Sequence, residues 1–302
     1  MTLTPAVFDL DVDAVVPAIE RFVRDAMGDL ARQGIVVPLS GGLDSSTVLA
    51  LCARAVGPDR VTALLLPDRK GAPDALRFGR LVADRLGVRT AEVDTTRVNR
   101  AAGVYRFLGY RLPRRLVARI ARSRLSGRDE SPFVAGLRGT EDPLTRQALA
   151  AVNARQRLRM VVTYRYAEQR RLLVVGSAHK SEDLLGLFVK FGVDDVADVM
   201  PLKGLYRSHI LRIARAVGVP DEVVARTPNP EMLPGVDDKY RDVLGVQSET
   251  ADLVLWGIEH GLGDAEIARQ VALDETDVSK LRDVVRLSAH MRTPSMCPDL
   301  GH

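Results

Sequence analysis

Ile35-Val36-Val37-Pro38-Leu39-Ser40-Gly41-Gly42-Leu43-Asp44-Ser45-Ser46 is the stretch on which the fold turns. Its first five residues are a short apolar run with β-branched side chains, the pattern of a strand buried on both faces. Ser40-Gly41-Gly42 is a turn signal. From Ser45 to about Ala55 the apolar spacing is helical, and Gly57-Pro58 stops it. A strand, a glycine turn and a helix in that order bring backbone N–H groups close to an anion, with the helix dipole aimed at the same spot. Ser40, Ser45 and Ser46 add hydroxyl donors, and the Asp44 carboxylate suits a Mg²⁺ ion beside phosphates. No Gly-Lys-Ser/Thr closes the loop and Gly-x-Gly-x-x-Gly is absent, so it is neither a Walker loop nor a dinucleotide fingerprint. The plain alternative is a Gly-Ser turn capped by an aspartate.

Working outward, Asp11 to Gln33 has apolar residues at helical spacing ahead of this strand. Further strands are expected at 61–66, 89–93 and 172–176, with a helix over 74–86. Strands alternating with helices predict an α/β fold: a doubly wound parallel sheet with helices on both faces. Beyond Ser181 the chain reads mostly helical, at 181–189, 204–217, 249–260, 263–271 and 275–290. The proline-rich passage Thr227 to Gly235 interrupts these helices as a loop.

A length of 302 residues with 46% hydrophobic residues is ample for a packed core. It reads as one domain over 1–302 with a basic insertion at about 97–130. No run approaches the ~18 apolar residues of a membrane span. The N-terminus lacks the layout of a signal peptide. Cys52 and Cys297 alone make neither a disulfide framework nor a four-ligand zinc site. A cytoplasmic protein without membrane contact is expected. The net charge of +4 hides an asymmetry. Ten arginines lie between Arg97 and Arg128 with no Asp or Glu among them, so the rest of the chain is net acidic. Such a block suits an anionic substrate, a nucleic-acid face or a solvated insertion. Its few aromatics, Tyr105, Phe107 and Tyr110, sit at one end, and nucleic acid is not an expected partner.

Ser40-Gly41-Gly42-Leu43-Asp44-Ser45-Ser46 resembles the pyrophosphate loop of the N-type ATP pyrophosphatases. Three later stretches resemble one branch of that superfamily, the ammonia-dependent NAD synthetases. They are Asn153-Ala-Arg-Gln-Arg157-Leu-Arg159-Met160, Val174-Val-Gly-Ser177-Ala-His-Lys-Ser-Glu182 with Gly186 to Gly192, and Asp198-Val-Met-Pro201-Leu-Lys-Gly-Leu-Tyr-Arg207. The tail Ser288-Ala-His290-Met291-Arg292 falls where the family ends in Ser-x-His-Lys-Arg. The resemblance implies ATP split between its α- and β-phosphates, a nicotinate carboxylate adenylylated, and ammonia displacing AMP. It implies Ser40, Gly41, Gly42, Asp44, Ser45, Ser46, Ser177 and Arg207 on ATP, and Asp44 and Glu182 on Mg²⁺. Arg157, Lys190, Asp198 and His290 are implied on the dinucleotide acid, with Asp44 and Lys190 as the catalytic pair. A homodimer is implied as well. Taken singly, Glu182 also fits a first-turn helix acid, Lys190 and Arg157 solvated cations, and His290 a structural histidine.

The pattern departs from the family on the acceptor side. Val189-Lys190-Phe191-Gly192-Val193-Asp194-Asp195 lacks a hydroxyl and two glycines, Met291 replaces a lysine, and Arg207 replaces another. Pro228-Asn229-Pro230-Glu231-Met232 also differs from the family's sequence there. These changes leave open a paralogue that amidates a different carboxylic acid through the same acyl-adenylate. Sulfur transfer to RNA would need paired cysteines. The stretch 263–281 has a helix-turn-helix pattern, which would place a DNA-binding module there. A glutaminase domain of ordinary size would not fit in this length, so ammonia is the expected nitrogen source, whether free or delivered by a partner glutaminase.

Overall fold

The computed structural model describes residues 2–113, 115–117, 119, 131–140, 142–229, 236–293, 295 and 298. Arg114, Arg122, Arg124, Arg128, Pro230 to Gly235 and Cys297 lie outside them. Four parallel strands form one sheet: β1 (Gly34–Pro38), β2 (Val61–Leu65), β3 (Arg89–Glu92) and β4 (Leu172–Val174). Their spatial order is β3-β2-β1-β4. Ile35 pairs with Val61 on one side and Leu173 on the other. The chain therefore steps outward from β1 to β3, then crosses back to lay β4 on the opposite flank. The crevice beyond the carboxyl ends of β1 and β4 is a topological switch point, where open parallel sheets bind ligands.

Side chains alternate faces along a strand, and both faces here are covered. Ile35 and Val37 enter one apolar cluster with Val16, Ile19 and Val23 of helix α1 (Val12–Asp29). Val36 enters the other, with Ala167 and Tyr164 of helix α4 (Pro143–Glu168). Helix α2 (Leu43–Val56), which follows the glycine turn, is buried along nearly its whole length, and α3 (Pro73–Arg85) crosses back to β3. Cys52 is in the core, its thiol pKa pushed up by burial. α4 begins where Asp142 accepts from the Thr145 amide at 3.1 Å, with Pro143 in the first turn, where a missing N–H costs nothing.

Among the later helices are α5 (Lys180–Leu185), α6 (Arg207–Ala216), α7 (Ser248–Glu259), α8 (Asp264–Val271) and α9 (Glu275–Leu287). α6 joins the sheet core through Ile210 and Ile213. α7, α8 and α9 build a separate cluster around Val254, Ile267 and Leu281, which also takes Leu3 and Phe8 from the N-terminus. The 263–281 pattern is thus two helices whose apolar faces are spent on this cluster. The helix expected over 181–189 stops at Leu185, because Gly186 turns left-handed at φ +68°. The first helix ends at Asp29 rather than Gln33, with Ala31 at φ +50°.

Candidate active site

The glycine turn leaves β1 and is pinned to the sheet by Leu39 N–H on the Leu64 carbonyl at 2.9 Å. Gly41 has φ +75°, and a Cβ there would stand 2.7 Å from both Gly79 N and Phe78 Cβ of α3. Only glycine fits, because the turn is pressed onto a neighbouring helix. Arg226 donates to the Gly41 carbonyl at 2.7 Å and holds the turn from the other side. Within it, Ser40 Oγ lies 3.1 Å from Ser45 Oγ and accepts from Gly42 N–H at 3.2 Å. Ser40, Gly42, Asp44 and Ser45 line a cavity of about 1020 Å³ over the switch point. Ser46 is fully buried behind the turn, and Gly41 contributes its backbone bend rather than a wall of the cavity.

The end of β4 supplies the facing wall. Gly176 donates to Val199 at 2.9 Å, and Ser177 then lines the cavity. The next turn carries His179 and Glu182. Asp44, His179 and Glu182 bring one donor atom each within 4.8 Å of the others. His179 Nε2 lies 3.8 Å from Asp44 and 3.6 Å from Glu182. Burial drives the His179 pKa down to about 3, so the ring is neutral, and neither nitrogen has a hydrogen-bond partner. Two cations balance the two carboxylates: Arg207 Nη1 is 3.5 Å from Asp44, and Lys239 is in direct contact with Glu182. Burial alone would raise the Asp44 carboxyl. The neighbouring positive groups, Arg207 and Lys239 among them, outweigh burial and hold it below the usual carboxylate range. Oxygen donors from two carboxylates match the preference of Mg²⁺, and the charge now supplied by Arg207 and Lys239 is the charge a divalent cation would bring. The set therefore fits that ion.

The acceptor side of the cavity is built from α4 and the segment after α5. Arg157 Nε donates to the Lys190 carbonyl at 3.2 Å, and Lys190 Nζ donates to the His290 and Thr293 carbonyls at 2.8 Å each. Arg157, Lys190 and His290 are thereby linked in one chain along the cavity wall. Asp198 is placed elsewhere. Its carboxylate accepts from Val174 N–H at 2.9 Å and Tyr164 OH at 3.2 Å, bracing β4 against α4. Deeper in the cavity Arg155 is wholly buried and ion-paired with Asp68 just beyond β2, and it donates to Tyr110 OH at 3.1 Å. Asp194 accepts from Gln156, and burial pushes its carboxyl up to about 6.

His179, Lys239, Asp68 and Arg155 are among the site residues that sequence motifs did not single out. A local signal existed for two of them. His179 and Arg155 lie inside quoted motif stretches, but at positions where those motifs leave the residue open. Lys239 and Asp68 have none, since each is brought in from a loop distant in sequence.

A pyrophosphate-type loop at the switch point of a parallel sheet, faced by two carboxylates, is the arrangement of the N-type ATP pyrophosphatases. A sequence model of NAD synthase matches residues 15–107 and 131–295. The NH(3)-dependent NAD(+) synthetase of Thermotoga maritima is 36% identical over 220 residues, covering 72% of this chain and 78% of that one. That of Hyperthermus butylicus is 32% identical over 293 residues, covering 96% and 92%. Among solved structures, the NH3-dependent NAD synthetase of Campylobacter jejuni superposes with a TM-score of 0.67 at 20% identity, over 96% of this chain and all of that one. An NMN synthetase from Francisella tularensis superposes with a TM-score of 0.71, also at 20% identity, over 97% of this chain and all of that one. At such identity these two show the shared fold. The chain belongs to the NAD synthase family.

Proposed function

We infer that this chain is a carbon–nitrogen ligase that adenylylates the nicotinate carboxylate of deamido-NAD and transfers ammonia to it, giving NAD, AMP and pyrophosphate. The observation that carries the reading is the phosphate turn with Asp44, Glu182, Arg207 and Lys239 around one end of a cavity of about 1020 Å³. Family membership and relatives at 32–36% identity support the same chemistry.

The turn would hold the β- and γ-phosphates on backbone N–H groups and the Ser40 and Ser45 hydroxyls. A carboxylate oxygen of the acid then attacks the α-phosphorus, and the bond to the β-phosphate oxygen breaks. Pyrophosphate stays in the turn. Ammonia attacks the acyl carbon of the mixed anhydride, loses a proton, and AMP departs. The work is positioning and charge neutralisation, and no side-chain nucleophile is needed. Asp44 and Glu182 would hold Mg²⁺, which supplies positive charge at the phosphates when bound. Arg207 orients Asp44 and adds a fixed positive charge. Arg157, Lys190 and His290 line the acceptor half, where the second nucleotide would lie.

We further propose a homodimer in the cytoplasm. Among the described residues no helix is long and apolar enough to cross a membrane. Light scattering at micromolar concentration tests the dimer. The activity is tested by following pyrophosphate and NAD with ATP, Mg²⁺ and ammonium, with and without deamido-NAD, for the wild type and Asp44→Ala. Both products from the wild type alone is the expected outcome. No stimulation by deamido-NAD would sink the assignment of the acceptor.

A further inference from the structure

The two acid–cation pairs at the phosphate turn are not equivalent. Arg207 opens α6, its backbone amide donates to Ser181 Oγ at 2.9 Å, and the next residue is anchored on Asp252. It is a fixed cation. Lys239 stands on the chain between the proline-rich passage and the one-turn helix Arg241–Leu244, held through its amide on Pro228 at 2.9 Å. Its ammonium reaches the site on a flexible four-carbon stem and makes its ion pair with Glu182, at 14% side-chain exposure.

Glu182 is also one of the two carboxylates that suit a divalent cation. An ammonium in contact with Glu182 and a divalent ion on the same carboxylate repel each other strongly in a largely dehydrated site. One must yield, and the lysine is the one on a flexible stem. A mostly buried ammonium then needs a new anion. Asp44 is already matched by Arg207, and Lys239 lines the same cavity as Ser40 and Ser45. The anion that arrives with the metal ion is the triphosphate. We propose that Lys239 is a phosphate ligand that changes partner, neutralising Glu182 until nucleotide binds and then donating to the nucleotide's phosphates as Glu182 turns to the divalent ion. This rests on reading the turn as an ATP site.

The test is equilibrium binding to the full chain with two probes, comparing the wild type with Lys239→Met. Mn²⁺ without nucleotide is followed by its electron paramagnetic resonance signal. An ATP analogue with a methylene bridge between the α- and β-phosphates is titrated calorimetrically in Mg²⁺. Lys239→Met frees Glu182, so Mn²⁺ should bind roughly threefold tighter or more. It also removes a charge-assisted donor, so the analogue should bind roughly tenfold weaker. The opposite signs are what a merely structural lysine would not produce. If either shift is missing while the wild type binds the analogue, the proposal is overturned and the ATP reading survives. If the wild type itself fails to bind the analogue, both fall. Should Lys239→Met melt at the assay temperature, Lys239→Arg and Lys239→Gln carry the comparison. Arginine should keep analogue binding within about threefold and glutamine should lose it; equal binding by the two overturns the proposal.

Discussion

The hydroxyl of Ser181 donates a 2.5 Å hydrogen bond to Asp252, a residue of the C-terminal helix α7 that does not line the cavity. The oxygen of the same hydroxyl accepts the Arg207 amide at 2.9 Å. The second oxygen of Asp252 accepts from Ser208 N–H at 2.8 Å and Ser208 Oγ at 2.6 Å. One buried carboxylate therefore ties the start of α5, which carries Glu182, to the start of α6, which carries Arg207. Asp252→Ala strands several buried donors and should cost about 2–4 kcal/mol in urea unfolding. Ser208→Ala removes one hydroxyl and should cost about 1 kcal/mol. In both, kcat should fall more than KM for the acid rises, since the acceptor wall is untouched.

The same residue predicts a pH dependence. Burial pushes the Asp252 carboxyl up to about 6, against the hydrogen bonds from Ser181 and Ser208. The folded state then holds its proton more tightly than the unfolded chain, whose aspartates titrate near 3.8. The stability this contributes is fully present below about pH 4 and is lost as pH rises through about 6, to a total of about 3 kcal/mol. Asp252→Asn keeps the shape and removes the titration. The wild type's stability relative to Asp252→Asn should decline between pH 4 and pH 7.5, measured by urea unfolding at each pH. A flat difference would refute the titration.

Arg155 and Asp68 are an ion pair with both side chains fully buried. Removing one partner leaves a buried charge, so Asp68→Ala should cost about 3–5 kcal/mol. Asp68→Leu combined with Arg155→Met removes both charges and should recover most of that loss. Guanidinium unfolding of the two proteins decides it, and a double variant as unstable as Asp68→Ala would speak against the buried-charge account.

Gly41→Ala places a methyl 2.7 Å from the backbone nitrogen of Gly79, at a φ that costs roughly 1–2 kcal/mol for any L-residue. The turn must lift off α3, which pulls Ser40 and Gly42 out of register with Ser45. A lower melting temperature is expected together with loss of ATP-analogue binding. Gly57, also at positive φ but with open space around it, is the control. Gly57→Ala should lower the melting temperature alone.

The strand, turn and helix around Gly41 were legible because each is a local pattern: β-branched residues, then glycines, then helical spacing within about twenty residues. β1, β2 and β3 lie within one residue of the expected bounds for the same reason, and β4 ends two residues early at Val174. The places of Ser40, Asp44, Ser45, Ser177 and Glu182 at the cavity follow from motifs that sit at strand ends, where a parallel sheet gathers them.

What composition and spacing alone determined was the class of fold and the phosphate turn, and the quoted motifs carried the resemblance to the family. What only the tertiary structure decided was which charges meet. Lys239 reaches Glu182 across 57 residues and Arg155 reaches Asp68 across 87, while Asp198 turns inward to brace β4. A helix or a glycine turn is set by neighbours within a few residues, whose spacing is written in the chain. An ion pair between distant loops forms only after folding has excluded water from both, and no local spacing encodes that encounter.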